Sequence, residues 1–271
     1  MAKLDLHTHS HFSDGTCSPE EVVHSALKAG STLFALTDHD TTDGILQAQA
    51  LCEQHHLPCI TGVEISTRDQ DHLHFLGYNI DLQNAPFQTF LAENRRQRRE
   101  RICKIIRQLQ QAGLDITEEE VFERAPHTVS RAHVADVLKA KHLVPSRQMG
   151  FRKYLLPGCA GYVPSAGATA IEAIRRIKQA GGLAVIAHPG IVAEHWDFPA
   201  WVEAGLDGIE VFYPAHSYAM KTELLKLARK YDLFCTAGSD YHGPHGGRIT
   251  TPGMNLSEPY YSRLRNKLLH A

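Results

Sequence analysis

Thr32-Leu33-Phe34-Ala35-Leu36-Thr37-Asp38-His39-Asp40 (32–40) is an apolar, strand-like run that ends in three side chains able to hold a metal ion. The same event recurs along the chain. Lys3–His7 runs into His7-Thr8-His9, with Asp14 five residues on, and Pro58–Val63 runs into Glu64. His72–Tyr78 carries His74, and Leu183–Ala187 stops at His188. Gly208–Phe212 is followed by His216, and Leu233–Ala237 by Asp240-Tyr241-His242.

Helical patterns separate most of these runs. Pro19–Ala29 follows Ser18 as N-cap, starts with Pro19, has Glu20 and Glu21 in its first turn and closes at Gly30. Asp43–His55, Ala168–Ala180 and Ser217–Tyr231 read similarly. Strands and helices alternating at this spacing predict an α/β fold with a parallel sheet, and seven strands suggest a barrel. In such barrels the strand C-termini share one face and carry the chemistry, so residues far apart in sequence would converge there.

Residues 86–157 break the alternation. Phe87–Gln111, Thr117–Glu123, Arg131–Lys141 and a short piece near Arg147–Tyr154 read as consecutive helices, with no strand among them. The expected organisation is therefore residues 1–85 plus 158–271 as the barrel and 86–157 as a helical insertion.

Composition narrows the function. With 28 basic and 30 acidic residues the formal net charge is −2, which excludes a global polycation that coats nucleic acid. No apolar stretch is long enough to span a bilayer, and the first residues lack a signal-peptide core, so a cytoplasmic protein with no membrane partner is expected. The six cysteines are scattered without a C-x-x-C pair, which disfavours a zinc ribbon or redox motif. Eighteen histidines are the outlying count. Histidine is the commonest metal ligand, and here histidines gather at strand ends.

His7 and His9, like Asp240 and His242, are two residues apart, so each pair points to one side of an extended chain. The candidate metal ligands are His7, His9, Asp14, His39, Glu64, His74, His188, Asp240 and His242. His72 is read as facing away from His74 and is set aside. Imidazole and carboxylate without thiolate favour manganese, iron or zinc. Nine ligands exceed what one ion takes, so two or three divalent ions are expected. A carboxylate shared by two neighbouring cations is the arrangement that serves phosphate esters.

These segments resemble the PHP (polymerase and histidinol phosphatase) family, within the wider amidohydrolase-like barrels. The motifs are D-L-H-T-H-S-x-x-S-D-G (5–15), T-D-H-D (37–40), G-V-E (62–64), H-x-L-G-Y (74–78), A-H-P (187–189) and G-S-D-Y-H-G (238–243). The resemblance implies a distorted (β/α)7 TIM-like barrel with a trinuclear metal centre. His7, His9, Glu64, His74, His188 and Asp240 would hold two ions, with Glu64 bridging, and Asp14, His39 and His242 the third. The R-x-x-R of Arg98 and Arg101 and the S-R-x-H of Ser130, Arg131 and His133 are similar to those of 3′,5′-nucleoside bisphosphate phosphatases. That subgroup includes a 5′→3′ exoribonuclease acting on short RNA.

The insertion adds charge. Seven of the residues in Glu93–Arg107 are basic. At about 100° per residue, Arg95 and Arg98 continue the apolar stripe of Ile102, Ile105, Ile106 and Leu109, and Arg99 flanks it. An arginine on a buried face needs an anionic partner, which a substrate phosphate or an internal carboxylate supplies. Ser130 reads as the N-cap of a helix whose first turn holds Arg131 and His133, a setting that favours phosphate. Lys153 and Tyr154 could add a cation and a stacking contact. Arg98, Arg99, Arg101, Ser130, Arg131, His133, Lys153 and Tyr154 are thus the candidate substrate contacts.

The expected reaction is hydrolysis of the 3′-phosphate of a nucleoside 3′,5′-bisphosphate by a metal-bridging hydroxide, giving a 5′-nucleotide and phosphate. Glu64, Asp240 and His216 are the candidate catalytic groups, with Asp38, His133 and His216 the candidates for proton handling. The partner is then a small nucleotide with two phosphates, or a short 5′-phosphorylated RNA, and no protein partner is implied. A histidinol-phosphate phosphatase would leave the basic insertion without a role. A non-catalytic metal-stabilised module would not need all nine ligands.

Overall fold

The computed structural model describes residues 1–246 and 249–269. In chain order its elements are β1 (Ala2–Leu4), α1 (Pro19–Lys28), β2 (Phe34–Leu36), α2 (Ile45–Gln54), β3 (Cys59–Ser66) and β4 (His74–Tyr78). Four helices follow: α3 (Ala85–Gln111), α4 (Glu118–Glu123), α5 (Arg131–Ala140) and α6 (Arg147–Gly150), the last running into a π-helical turn, Phe151–Leu155. Then come α7 (Ala170–Gln179), β5 (Leu183–Ile186), a 3-10 segment (Pro189–His195), α8 (Phe198–Ala204), β6 (Leu206–Phe212), α9 (Tyr218–Lys230), β7 (Phe234–Ala237), β8 (Met254–Leu256) and α10 (Glu258–Leu269).

The local chemistry explains these boundaries. Ser18 Oγ accepts from the Glu21 amide at 3.2 Å, while the Glu21 carboxylate accepts from the Ser18 amide at 2.7 Å. This reciprocal cap, with Pro19 in the first turn, starts α1 where the sequence predicts. Asn84 caps α3 through its side-chain oxygen and the Phe87 amide, at 3.0 Å.

Six strands form one sheet in the order β2-β3-β4-β5-β6-β7. The pairs β2/β3, β5/β6 and β6/β7 are parallel. The pairs β3/β4 and β4/β5 are antiparallel, which corrects the expectation of a uniformly parallel sheet. The physical reason is the link between β3 and β4, residues 67–73, which is too short for the crossover of a dozen or more residues that a parallel pair requires. β1 pairs with β8 in a separate antiparallel ribbon. Just after β1, residues 5–9 bond to both ends of the sheet's order: Asp5 donates to the Leu33 carbonyl (3.0 Å) and Leu6 to that of Ala237 (3.2 Å). The sequence reading missed β8, α8 and α10.

Both faces of the sheet are buried, and successive residues alternate between them. Phe75 packs with Ile65, Ile186 and Trp201 under α7 and α8, whereas Leu76 and Tyr78 pack with Leu6, Val185 and Ala237 on the other face. The helices between β4 and β5 enclose an apolar cluster of their own, including Ile102, Ile105, Ile106, Leu109, Val134 and Leu138.

Candidate metal centre

β4 begins at His74, which stands opposite Ser66, the last residue of β3. The reversal of β4 therefore puts its first residue at the same end of the sheet as the last residues of its neighbours. His188 follows β5, Asp240 follows β7, and His39 pairs by an isolated bridge with Glu64 on β3. His7 and His9 arrive from the segment between β2 and β7. All nine predicted ligands are brought together.

Glu64 is central and fully buried. Its Oε1 lies 2.8 Å from His74 Nδ1 and 3.0 Å from His188 Nε2. Its Oε2 lies 3.0 Å from His39 Nδ1, 3.2 Å from His9 Nε2 and 3.3 Å from His7 Nε2. Asp240 Oδ1 is 3.2 Å from His9 Nε2 and 3.4 Å from His7 Nε2, and Asp14 Oδ1 is 3.2 Å from His242 Nε2. Three groupings have ligand atoms within ion-binding range: His7, His9, Glu64 and Asp240; His9, Asp14, His39 and His242; and His39, Glu64 and His74. His9 and His39 each belong to two groupings, so the division into one pair of ions plus a separate third is less sharp in space than the motifs imply.

Divalent cations fit this donor set. His7 Nε2, His9 Nε2, His39 Nδ1, His188 Nδ1, Asp14 Oδ1 and Glu64 Oε2 are buried and have no hydrogen-bond partner. An unpartnered buried polar atom costs about 1–3 kcal/mol, and six at one place call for cations. Burial alone would raise the Glu64 carboxyl, but His39, His7 and His74 hold it well below the usual range. Asp14 and Asp240 are likewise held low against burial by their histidine neighbours. The carboxylates are thus in their ionised, cation-binding form.

A second layer of residues orients the first. Glu210 on β6 accepts from His7 Nδ1 at 3.0 Å and from the His188 amide at 2.7 Å, so one carboxylate positions two ligands. Asp5 accepts from the Ser239 amide (2.9 Å) and hydroxyl (2.5 Å), fixing the turn that bears Asp240. Gly238 belongs to that turn because a Cβ there would lie 2.3 Å from His7 Cβ and 2.5 Å from Glu210 Oε1. Tyr213 donates to Asp240 Oδ2 at 3.2 Å. Asp40, His188 and Asp240 all hold positive φ (52°, 29° and 58°), as do His56, Asn79, His142 and Asp232 away from the site. Glu210 and Tyr213 were missed in the sequence; an acid inside the apolar run 208–212 was the available signal.

A cleft of about 220 Å³ opens over the ligands. Its far wall is basic: Arg98, Arg101 and Arg131 line it with Ser130, where α5 begins. Arg101 and Arg131 meet at Asp71, with Nη2 and Nη1 respectively 3.1 and 3.2 Å from its oxygens. Arg98 has the internal carboxylate that the sequence left open: its Nε donates to Asp40 Oδ2 at 2.6 Å, with further bonds to Ser66 and the Val129 carbonyl. His72, set aside above, also lines the cleft, and its spacing of two from His74 was the signal.

Other expected contacts lie elsewhere. Arg99 stacks on Phe122, 3.5 Å from the ring centroid, outside the cleft, because it sits one residue past the inward stripe. Lys153 is exposed beside Tyr154, which packs into the helical cluster, and Phe151 is the aromatic residue that reaches the cleft. His133 closes the cap of α5 by accepting from the Ser130 amide at 3.0 Å and does not line the cleft. His216 is occupied at both nitrogens, by the Val211 carbonyl (2.9 Å) and the Gly190 amide (3.1 Å), and so braces the segment after His188. Asp38 is occupied by the Ser10 amide and hydroxyl and the Ser13 hydroxyl.

Comparison with known proteins places this geometry. A family model described as "PHP domain" matches residues 5–182. The chain is 36% identical over 260 residues to a 3′,5′-nucleoside bisphosphate phosphatase of Chromobacterium violaceum, covering 92% of this chain and 90% of that one. It is 35% identical over 253 residues to a 5′-3′ exoribonuclease of Haemophilus influenzae, covering 90% and 91%. It is 33% identical over 262 residues to a phosphoribosyl 1,2-cyclic phosphate 1,2-diphosphodiesterase of Eggerthella lenta, covering 93% and 98%. A crystal structure described as a metal-dependent phosphoesterase of Bifidobacterium adolescentis superimposes with a TM-score of 0.88 at 31% identity, covering 98% and 95%.

Proposed function

The chain belongs to the PHP domain family of metal-dependent phosphoesterases, and from that premise we propose that it removes the 3′-phosphate of nucleoside 3′,5′-bisphosphates. The observation that carries the reading is one cleft with two seats for anions. One seat is the cluster of imidazoles and carboxylates. The other is formed by Arg101, Arg131 and the start of α5. The cleft's volume admits a small phosphate ester or the end of a flexible strand, and not a duplex.

His7, His9, Asp14, His39, Glu64, His74, His188, Asp240 and His242 would hold two to three divalent ions, manganese first, with iron and zinc compatible with the same donors. Bound there, the ions supply positive charge to the phosphoryl oxygens and activate water. Glu64, buried, and Asp240, half-buried at the cleft, lie between imidazoles and hold those donors together. Arg101 and Arg131 grip the remote 5′-phosphate and convert its binding energy into orientation of the 3′-ester. Of the three candidates for proton handling, His133 alone keeps a ring nitrogen, Nε2, without an internal hydrogen bond among the described residues. We read the sheet with residues 5–9 as the distorted (β/α)7 barrel and residues 86–157 as an insertion that brings the second anion seat.

A 5′→3′ exoribonuclease is the second reading, favoured by the similarity to the Haemophilus protein and by the same pair of seats. Phosphate release from adenosine 3′,5′-bisphosphate, compared with AMP, in Mn²⁺ tests the first reading. Rapid release from the bisphosphate and little from AMP is expected; equal rates would remove the role of the second seat. A 5′-phosphorylated trinucleotide tests the second reading by release of a mononucleotide.

A further inference from the structure

A second cleft, of about 720 Å³, lies where β6 and β7 begin, at the opposite end of those strands from the metal centre. Half-buried Leu225 of α9, Tyr231, Phe234 of β7 and Tyr260 of α10 give it its accessible apolar lining, over the buried Ala228, Leu233 and Leu264. Its rim is basic: Arg229 comes from α9, Arg263 and Lys267 from α10. None of these three cations makes an ion pair among the described residues. Of the two carboxylates present, Asp207 is held by Lys178 Nζ at 2.7 Å and by the Ala184 amide at 2.8 Å, which leaves Asp232 alone against three cations. The half-buried Cys235 lines the same cleft as Arg229 and Arg263. Burial pushes that thiol up to about 11 while the two guanidinium groups pull it down.

Apolar lining beside three cations that make no ion pair among the described residues is the chemistry of an amphipathic anion site, and the volume is that of a small-molecule site. We infer that this cleft binds a small organic anion, its aromatic or apolar body against Leu225, Phe234 and Tyr260 and its phosphate or sulfonate between Arg229 and Arg263. The site is distinct from the metal centre and does not depend on which ester is hydrolysed there.

Cys235 is the reporter. Its alkylation by N-ethylmaleimide in the metal-loaded protein is followed by peptide mass spectrometry, with Cys103 on α3 as internal control. The probes are AMP, adenosine, inorganic phosphate and 8-anilinonaphthalene-1-sulfonate. AMP or the sulfonate is expected to slow alkylation of Cys235 about fivefold or more near saturation, without changing Cys103. Protection by the sulfonate alone would identify a non-nucleotide anion as the ligand of the same site. Adenosine and phosphate at equal concentration are expected to protect little. The Arg229→Ala/Arg263→Ala variant is expected to lose the protection and keep its phosphatase rate. Protection by neither probe, equal protection by adenosine, or protection that survives in the double variant would overturn the inference.

Discussion

His74 Nδ1 lies 2.8 Å from Glu64 Oε1 although the strand that His74 opens runs against the strand that carries Glu64. The contact exists because β4 enters the sheet at the end where β3 leaves it. Glu64 thereby meets five imidazoles, and its negative charge is what makes that gathering tolerable. Glu64→Gln keeps the shape and removes the charge. It is expected to lower bound metal per chain and to cut phosphate release by at least about 100-fold. Metal content by plasma emission, alongside turnover, checks this. A fully loaded, active variant would show that Glu64 is not a ligand.

Glu210 touches no part of the cleft, yet its carboxylate holds both His7 Nδ1 and the His188 amide. Glu210→Gln retains one acceptor oxygen and loses the charge that supports the His7 ring. A 10–100-fold weakening of metal affinity is expected, roughly the effect of removing an outer partner of a ligating histidine. Excess metal should recover most of the turnover. A rate that stays low at saturating metal would place the defect in the chemistry instead.

The strand ends and the candidate ligands on them were legible because a short apolar run followed by His, Asp or Glu is a local signal. The direction of β4 was legible too, in the shortness of residues 67–73, but that signal lies in a connection and not in a strand. The supports were harder to see. Glu210 and Tyr213 act through contacts with residues more than 20 positions away; an acid inside an apolar run hinted at Glu210, but nothing local named its partners or pointed to Tyr213. On α3, periodicity placed Arg98 on the inward face but could not tell its partner, which is Asp40. A one-residue phase step of about 100° separates Arg98, in the cleft, from Arg99 on Phe122.

That difference divides the arginines by position. Arg131 faces the cleft and shares Asp71 with Arg101, so Arg131→Ala leaves Asp71 one cationic partner. The variant is expected to raise KM about 10–100-fold for a 5′-phosphorylated substrate, the loss of a charge-assisted pair worth about 1.5–3 kcal/mol. A 3′-nucleotide without the 5′-phosphate should be little affected. Arg98→Ala is expected to impair both substrates, because it also frees Asp40, the residue beside His39. Steady-state kinetics on the two substrates separates the cases, and equal losses in Arg131→Ala would remove its role at the 5′-phosphate.

Arg99 on α3 and Lys153 in the π-helical turn after α6 carry positive charge and line no part of the cleft. Arg99→Ala and Lys153→Ala are expected to leave kcat/KM within about twofold on the mononucleotide, since exposed charges at a distance are largely screened. Arg99→Ala should cost up to about 1 kcal/mol of stability through the lost contact with Phe122. A tenfold fall in kcat/KM for either variant, measured at moderate salt, would mean that the substrate extends over that outer face.

Removal of metal should be visible in stability without any substrate. Ring nitrogens of His7, His9, His39 and His188 and oxygens of Glu64 and Asp14 are buried without hydrogen-bond partners. Cations bind that arrangement in the folded chain only, since the ligands come from segments between His7 and His242 that separate on unfolding. At a hundredfold excess over the dissociation constant, one ion adds about 2.7 kcal/mol. For a chain of this size that corresponds to a rise of about 5 °C in Tm. Differential scanning calorimetry of EDTA-treated protein, before and after Mn²⁺ is restored, should show this shift. Glu64→Gln should show much less of it. An unchanged Tm on metal return would mean that the six unpartnered atoms are satisfied in some other way.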